Sequence, residues 1–77
     1  MSEVADRVKK VVAEVLKVDA GRITDEARFV EDLGAESIQS VELIAAFEEE
    51  FDIEIEEEDA LQVKTVGKAT DFIAKLL

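Results

Sequence analysis

The stretch DLGAESIQSVELIAAFEEEF, from Asp32 to Phe51, contains the sharpest change of pattern in the chain. A turn at Gly34 is followed by apolar residues at helical spacing, which form one stripe with three larger residues beside it: Ile38, Val41, Ile44 and Ala45, then Leu43, Phe47 and Phe51. This pattern predicts a helix, helix two, from Ser37 to about Phe51. A serine therefore begins a helix in a chain that contains no histidine and no cysteine to activate it.

Three further helices are predicted around helix two. Helix one runs from roughly Glu3 to Leu16 and carries an apolar stripe at helical spacing. A short third helix lies near Glu57–Leu61, where acids in the first turn suit the helix dipole. Thr65 caps the last helix, Val66–Leu76, in which Phe72 adjoins an apolar stripe that is expected to face inward: Val66, Ala69, Ile73 and Leu76. The alternation over Ile53–Ile55 is too short to indicate a strand without a partner strand.

The segment between helices one and two has turn residues and no sustained apolar period, which indicates a long loop. Phe29 and Leu33 are expected to attach this loop to the core. The predicted fold is all-α: a small four-helix bundle with a long loop between helices one and two and a short third helix. Residues 1–77 are expected to form a single domain.

Composition limits the possible classes of protein. With 48% hydrophobic residues, the chain is apolar enough to be globular although 38% of it is charged. Cysteine is absent, and no apolar run has the length of a secretory signal or a membrane span. We expect a cytoplasmic monomer that does not insert into membranes.

Charge is distributed unevenly along the chain. The segment 29–63 holds thirteen of the twenty acids and no lysine or arginine, whereas all nine basic residues lie in the flanks. Such a segment repels nucleic acid and attracts basic protein surfaces. Partners are therefore expected to be basic proteins, although a solvated acidic face that only maintains solubility is the alternative.

The sequence predicts neither an active site nor a metal site. A nucleophilic serine needs a positioned base, and no basic residue is near Ser37 in the sequence. The acidic run Asp52–Asp59 lacks the glycine and the alternating ligands of a calcium loop. A chain this short also offers little room for a desolvated acid–base pocket. We therefore expect a protein that is not an enzyme.

Ser37 instead suits modification by another protein. A phosphate ester at the first turn of a helix lies near unpaired backbone N–H groups and at the positive end of the helix dipole. The alternative is an ordinary serine at a helix start.

The stretch DLGAESIQSVELIAAFEEEFDIEI closely resembles the signature of the acyl carrier protein family. The similarity extends over nearly the whole chain, to Thr65–Val66 and Asp71–Ile73 in the last helix. It implies that 4'-phosphopantetheine is attached covalently to Ser37 by a phosphopantetheinyl transferase, and that acyl groups are carried as thioesters on the terminal thiol. The cofactor then supplies the thiol that the chain lacks.

The resemblance also implies roles for neighbouring residues. Glu42, Glu48 and Glu49 would dock on basic patches of acyl synthases or acyltransferases, with Ile38 and Val41 as apolar contacts. Glu36, Ile38 and Gln39 stand where the family usually has aspartate, leucine and aspartate. These three departures predict a difference in partner choice. Together with Ala45 and Glu56, where the family often has a larger apolar residue and proline, they suggest a specialised carrier.

An acyl chain would need shelter inside the bundle. Apolar residues from helix two and the region of the short helix are expected to face inward and line an expandable slot: Ile44, Phe47, Ile55, Ala60, Leu61 and Val63. Their alternative role is ordinary core. The leading hypothesis is a stand-alone acyl carrier protein of fatty acid biosynthesis. A carrier of polyketide or aminoacyl intermediates is the alternative within the family, and an acidic interaction module is the alternative from another class.

Overall fold

The computed structural model describes residues 2–77, which form four α-helices and one turn of 3-10 helix. The α-helices are α1 (Ser2–Leu16), α2 (Ser37–Phe51), α3 (Glu57–Ala60) and α4 (Val66–Leu76), and the 3-10 helix is Ala20–Arg22. The predicted all-α bundle with a long loop and a short third helix is confirmed. Within residues 2–77 there is no β-strand, and Ile53–Ile55 is irregular backbone.

The core lies where α1 packs against α2 and α4. Val8 and Val12 from α1 are fully buried, as are Val66 and Ile73 from α4. The predicted Thr65 cap is present, because its hydroxyl accepts a hydrogen bond from the Lys68 N–H at 3.2 Å. Among residues 2–77, no helix combines the length and the apolar character needed to cross a bilayer.

The long loop is attached to the core at Phe29, as predicted. Phe29 is buried, Leu33 packs partly against the core, and the Phe29 N–H donates to the Lys64 carbonyl at 3.1 Å. This bond belongs to a short bridge that pairs Arg28 with Thr65. The loop therefore lies against the start of α4, and Gly34 turns it toward α2 with a positive φ of 72°.

On α2 and α4, the apolar stripe read from the sequence does not coincide with the face that is buried in the structure. On α2 the buried residues are Leu43, Phe47 and Phe51, whereas Ile38 and Val41 are 67% and 57% exposed. On α4, Leu76 was expected inward but is 44% exposed. Helical spacing identifies an apolar stripe but not which side a neighbour covers, and Leu76 lies at the end of its helix.

Arg7 joins α1 to the end of α2 through three contacts that the sequence pattern does not predict. Its Nε donates to the Glu50 carboxylate at 2.8 Å, and its Nη2 donates to the Glu50 carbonyl at 2.6 Å. The guanidinium also lies 4.5 Å from the centre of the Phe51 ring. The planar guanidinium suits this arrangement, because it can donate several hydrogen bonds while stacking on an aromatic face.

Candidate functional site

Ser37 is the first residue of α2, and its side chain is exposed. The preceding residue, Glu36, is the N-cap with an extended backbone. The sequence positions the serine here because the turn at Gly34 and the buried side chain of Ala35 end the loop just before the helix begins. A reagent or a partner protein can therefore reach the Ser37 hydroxyl from solvent.

Gln39 fixes the start of the helix. Its side-chain Oε1 accepts a hydrogen bond from the Glu36 N–H at 2.8 Å. The N–H groups of Gln39 and Ser40 donate to the Glu36 carbonyl at 2.9 and 3.1 Å. The N–H groups of Ser37 and Ile38 come too early in the helix to have an intrahelical acceptor. An anion at the Ser37 hydroxyl would thus lie near free donors and the positive helix end.

The residues expected to contact partners fall into two groups. Most of them are exposed on α2 or directly before it: Glu36, Ile38, Val41, Glu42 and Glu49. Gln39 and Glu48 are half-buried, and each already makes a hydrogen bond within the chain. The exposed group presents acidic and apolar side chains along α2 from its N-cap onward, whereas the half-buried pair has structural contacts that sequence reasoning did not predict.

A cavity of about 330 Å³ lies beside α2. The structure places all six residues of the predicted slot around it: Ile44, Phe47, Ile55, Ala60, Leu61 and Val63. Leu61 differs from the expectation that it faces inward, because it is 64% exposed. It lies in the turn after α3, where no further helical residue covers it, so it borders the cavity from the solvent side.

The cavity also contacts residues that sequence reasoning did not assign to the slot. Phe29 and Val30 reach it from the long loop, Phe72 reaches it from α4, and Ser40 adds a hydroxyl. Phe72 was predicted to adjoin the apolar stripe of the last helix, which is the only signal that pointed toward it. Phe29 and Val30 are 27 or more positions away from the third helix, so their shared wall depends on tertiary packing.

Arg28 and Asp32 form an ion pair within the long loop. The Arg28 Nε and Nη2 donate to the Asp32 carboxylate at 3.0 and 3.2 Å, and the Arg28 N–H donates to it at 2.8 Å. The side-chain hydrogen bond from Arg28, followed by its backbone bond, lowers the pKa of Asp32 below its ordinary value. The same pairing raises the pKa of Arg28. Both groups therefore stay charged near neutral pH and hold the turn between 28 and 32.

A known protein family matches most of the chain. The family model described as "Phosphopantetheine attachment site" matches residues 6–73. The matched range contains all of α2 and α3, most of α1 and α4, Ser37 and the residues around the cavity. Carrier domains of this family are non-catalytic. The chain belongs to the phosphopantetheine-attachment family, as a carrier domain of the acyl carrier protein type.

Carriers of this family hold 4'-phosphopantetheine covalently on a serine. The start of α2 fits such a group, because it offers an exposed hydroxyl together with the free N–H groups of Ser37 and Ile38. Carrier domains of the family interact with phosphopantetheinyl transferases and with acyl-handling enzymes. When attached, the group supplies the thiol on which acyl groups are carried.

Proposed function

We propose that the protein is an acyl carrier that is modified on Ser37 and carries fatty acyl chains. The observation that supports this most directly is the position of Ser37, exposed at the first turn of α2, on a helix that also borders an apolar cavity. The chain positions the attachment oxygen, the positive helix end favours the phosphate, and the bundle offers shelter for the cargo.

The other two serines support the assignment by contrast. Ser2 precedes the matched range 6–73. Ser40 lies one turn further along α2, where it is half-buried and borders the cavity. A transferase must bring coenzyme A to the acceptor hydroxyl, so an exposed serine at a helix start is accessible in a way that Ser40 is not.

The cavity favours an apolar cargo. Four aliphatic side chains, Ile44, Ile55, Leu61 and Val63, and the ring of Phe47 border it. Burying methylenes there would stabilise the loaded protein by up to about 0.8 kcal/mol each. A charged aminoacyl ammonium would lose hydration beside these apolar side chains, and the charged residues at the cavity, Glu31 and Lys64, are both exposed to solvent. The cavity therefore favours a fatty acyl cargo over an aminoacyl cargo. Polyketide chains have a polarity between these two and are the nearest alternative cargo.

Partner docking is proposed on the exposed residues of α2 and its N-cap, which adjoin Ser37 and extend along the helix. Glu36, Glu42 and Glu49 are exposed there and would attract lysine and arginine side chains. Ile38 and Val41 add exposed apolar area between the acids. An acidic face with an apolar centre suits transient contact with basic patches on a transferase, a synthase or an acyltransferase.

Intact mass tests the attachment site. The native chain is incubated with coenzyme A and a phosphopantetheinyl transferase, in parallel with Ser37→Ala and the control Ser40→Ala. We expect one phosphopantetheine increment on the native chain and on Ser40→Ala, and none on Ser37→Ala. An increment on Ser37→Ala would reject Ser37 as the acceptor. No increment on the native chain with several transferases would also reject it, and would favour an acidic interaction module.

A further inference from the structure

The first turn of α4 is bound by the backbone of the long loop. The Val66 N–H donates to the Ala27 carbonyl at 3.0 Å, and the Gly67 N–H donates to the Asp25 carbonyl at 2.8 Å. The first N–H groups of a helix have no intrahelical acceptor, so carbonyls from elsewhere in the chain can satisfy them. Two such donors of α4 therefore hold the loop against the start of the helix.

A third hydrogen bond continues this contact toward the cavity. The Phe29 N–H donates to the Lys64 carbonyl at 3.1 Å, just before α4 begins. Phe29 and the next two loop residues, Val30 and Glu31, border the cavity. The loop side of the cavity wall is therefore positioned by the hydrogen bonds that join the loop to the start of α4.

Gly67 permits the close approach of the loop to α4. A Cβ at this position would lie 3.0 Å from the Asp25 carbonyl oxygen and 3.4 Å from the Asp25 Cβ. The first distance is shorter than ordinary van der Waals contact, and a backbone oxygen cannot rotate away as the end of a side chain can. The Asp25 carboxylate is also paired with Lys9 of α1 at 3.5 Å. A larger residue at position 67 therefore requires the loop to move away from α4.

Glycine has a cost at this position. Gly67 is the second residue of α4, and glycine favours a helix less than alanine does because it loses more backbone entropy. The local preference of the helix therefore does not account for a glycine here. The close approach of the Asp25 carbonyl does account for it, because only a residue without a Cβ leaves room for that oxygen.

We propose that Gly67 is a specificity-determining residue for the acyl cargo, because it sets the depth of the cavity on the loop side. Without a side chain at position 67, the loop lies close to α4, and Phe29 and Val30 limit the space beside α2. A side chain there displaces Asp25 and the loop residues that follow it, so the cavity accepts a longer chain. Gly67 is a positioning residue, because it acts on the cavity through the loop. The proposal rests on the proposed function, in which this cavity shelters a fatty acyl chain.

The Tm of acylated forms measures the depth of the cavity. The native chain, Gly67→Ala and the control Gly21→Ala are loaded on Ser37 with saturated acyl groups of increasing length. Each Tm is compared with that of the same variant carrying phosphopantetheine alone, which removes the general effect of the substitution on stability. Alanine favours a helix more than glycine does, so Gly67→Ala is expected to fold.

The gain in Tm should level off at a longer acyl chain in Gly67→Ala than in the native chain. Gly21→Ala adds the same methyl group elsewhere in the loop, where its Cβ would meet only the Asp19 carboxylate oxygen, at 3.4 Å. This control should level off at the native chain length. A plateau at the native length in Gly67→Ala would overturn the proposal.

Hydrogen exchange in the unmodified chain reports separately on the position of the loop. The amides of Val66 and Phe29 should exchange several-fold faster in Gly67→Ala than in the native chain, and at the native rate in Gly21→Ala. Native exchange at both amides in Gly67→Ala would also overturn the proposal, because the loop would not have moved. A Tm independent of acyl length in the native chain would instead contradict the proposed function, and the inference would fail with it.

Discussion

The Gln39 side chain accepts a hydrogen bond from the backbone N–H of Glu36 at 2.8 Å, across the residue that begins α2. Ser37 lies between the two partners, so the bond fixes the chain on both sides of the proposed attachment point. A neutral glutamine keeps this contact without adding a negative charge beside the phosphate. Glutamine at position 39, where the resembling family usually has aspartate, therefore supports the helix start in addition to its expected effect on partner choice.

Replacing Gln39 by alanine should destabilise the domain by about 1 kcal/mol, because the Glu36 N–H loses its acceptor at the helix start. Urea unfolding measures the change. Gln39→Glu retains an acceptor oxygen and should cost less, and Gln62→Ala, at an exposed turn position, is the matched control. Equal stabilities for Gln39→Ala and Gln62→Ala would show that the bond does not support the helix start.

Arg7 should be a stabilising contact between α1 and α2. Arg7→Ala removes two hydrogen bonds to Glu50 and the stacking on Phe51, and we expect a loss of about 1–2 kcal/mol. Arg7→Lys should recover only part of this stability, since an ammonium cannot reproduce the planar contacts. The exposed Lys10→Ala on the same helix should change the free energy of unfolding by less than about 0.5 kcal/mol. A similar loss for both alanine variants would contradict this role.

Acid should weaken the pair formed by Arg28 and Asp32. The pKa of Asp32 is lowered in the folded state, so the unfolded chain binds its proton first as pH falls. The stability that this pair contributes is complete above the ordinary Asp pKa of 3.8 and is lost as pH falls through the lower folded value. Asp32→Asn should remove that part of the pH dependence, and Arg28→Gln should raise the pKa of Asp32 in an NMR titration. An ordinary pKa for Asp32 in the native chain would refute the expectation.

Charge on the docking face should control the rate of the transferase reaction. The double variant Glu42→Lys, Glu49→Lys should slow the reaction at low salt by about tenfold or more and reduce its sensitivity to added salt. The matched control is Glu3→Lys, Glu14→Lys, which makes the same charge change at exposed positions of α1. Glu48 is left unchanged because its bond to Ile55 would confuse docking with stability. Equal rates for the two double variants would place docking elsewhere.

Thermal stability should rise with the length of the attached acyl chain and then level off. Each buried methylene contributes up to about 0.8 kcal/mol, and in a domain of this size 1 kcal/mol corresponds to about 4–8 °C in Tm. Ala60→Leu fills part of the cavity wall and should bring the plateau to shorter chains. Ala45→Leu, at an exposed position of α2, should leave the plateau where it is. A Tm independent of chain length would argue against sequestration.

The helices were predictable from the sequence because their signals are local. Apolar spacing, the Thr65 cap and the turn at Gly34 each act within a few residues, and α2 and α4 have the predicted bounds, Ser37–Phe51 and Val66–Leu76. The six slot residues could be selected from the apolar positions of α2 and of the segment around α3 once the resemblance implied an acyl chain. The resemblance drew attention to Ser37, and the family match supports a carrier function.

Tertiary structure decided which apolar residues are buried and which acids are free. Tertiary packing buries Leu43 while leaving Val41 exposed, a choice that periodicity alone does not make. The bond from Ile55 to Glu48 and the contacts of Arg7 with Glu50 join residues 7 and 43 positions apart. Sequence patterns report the preferences of single segments, whereas such contacts depend on how the chain turns between them. The sequence by itself therefore determined the helices and a serine suited to modification. Only the fold showed that Glu48, one of the acids expected to contact partners, is bonded to Ile55 in the cavity wall.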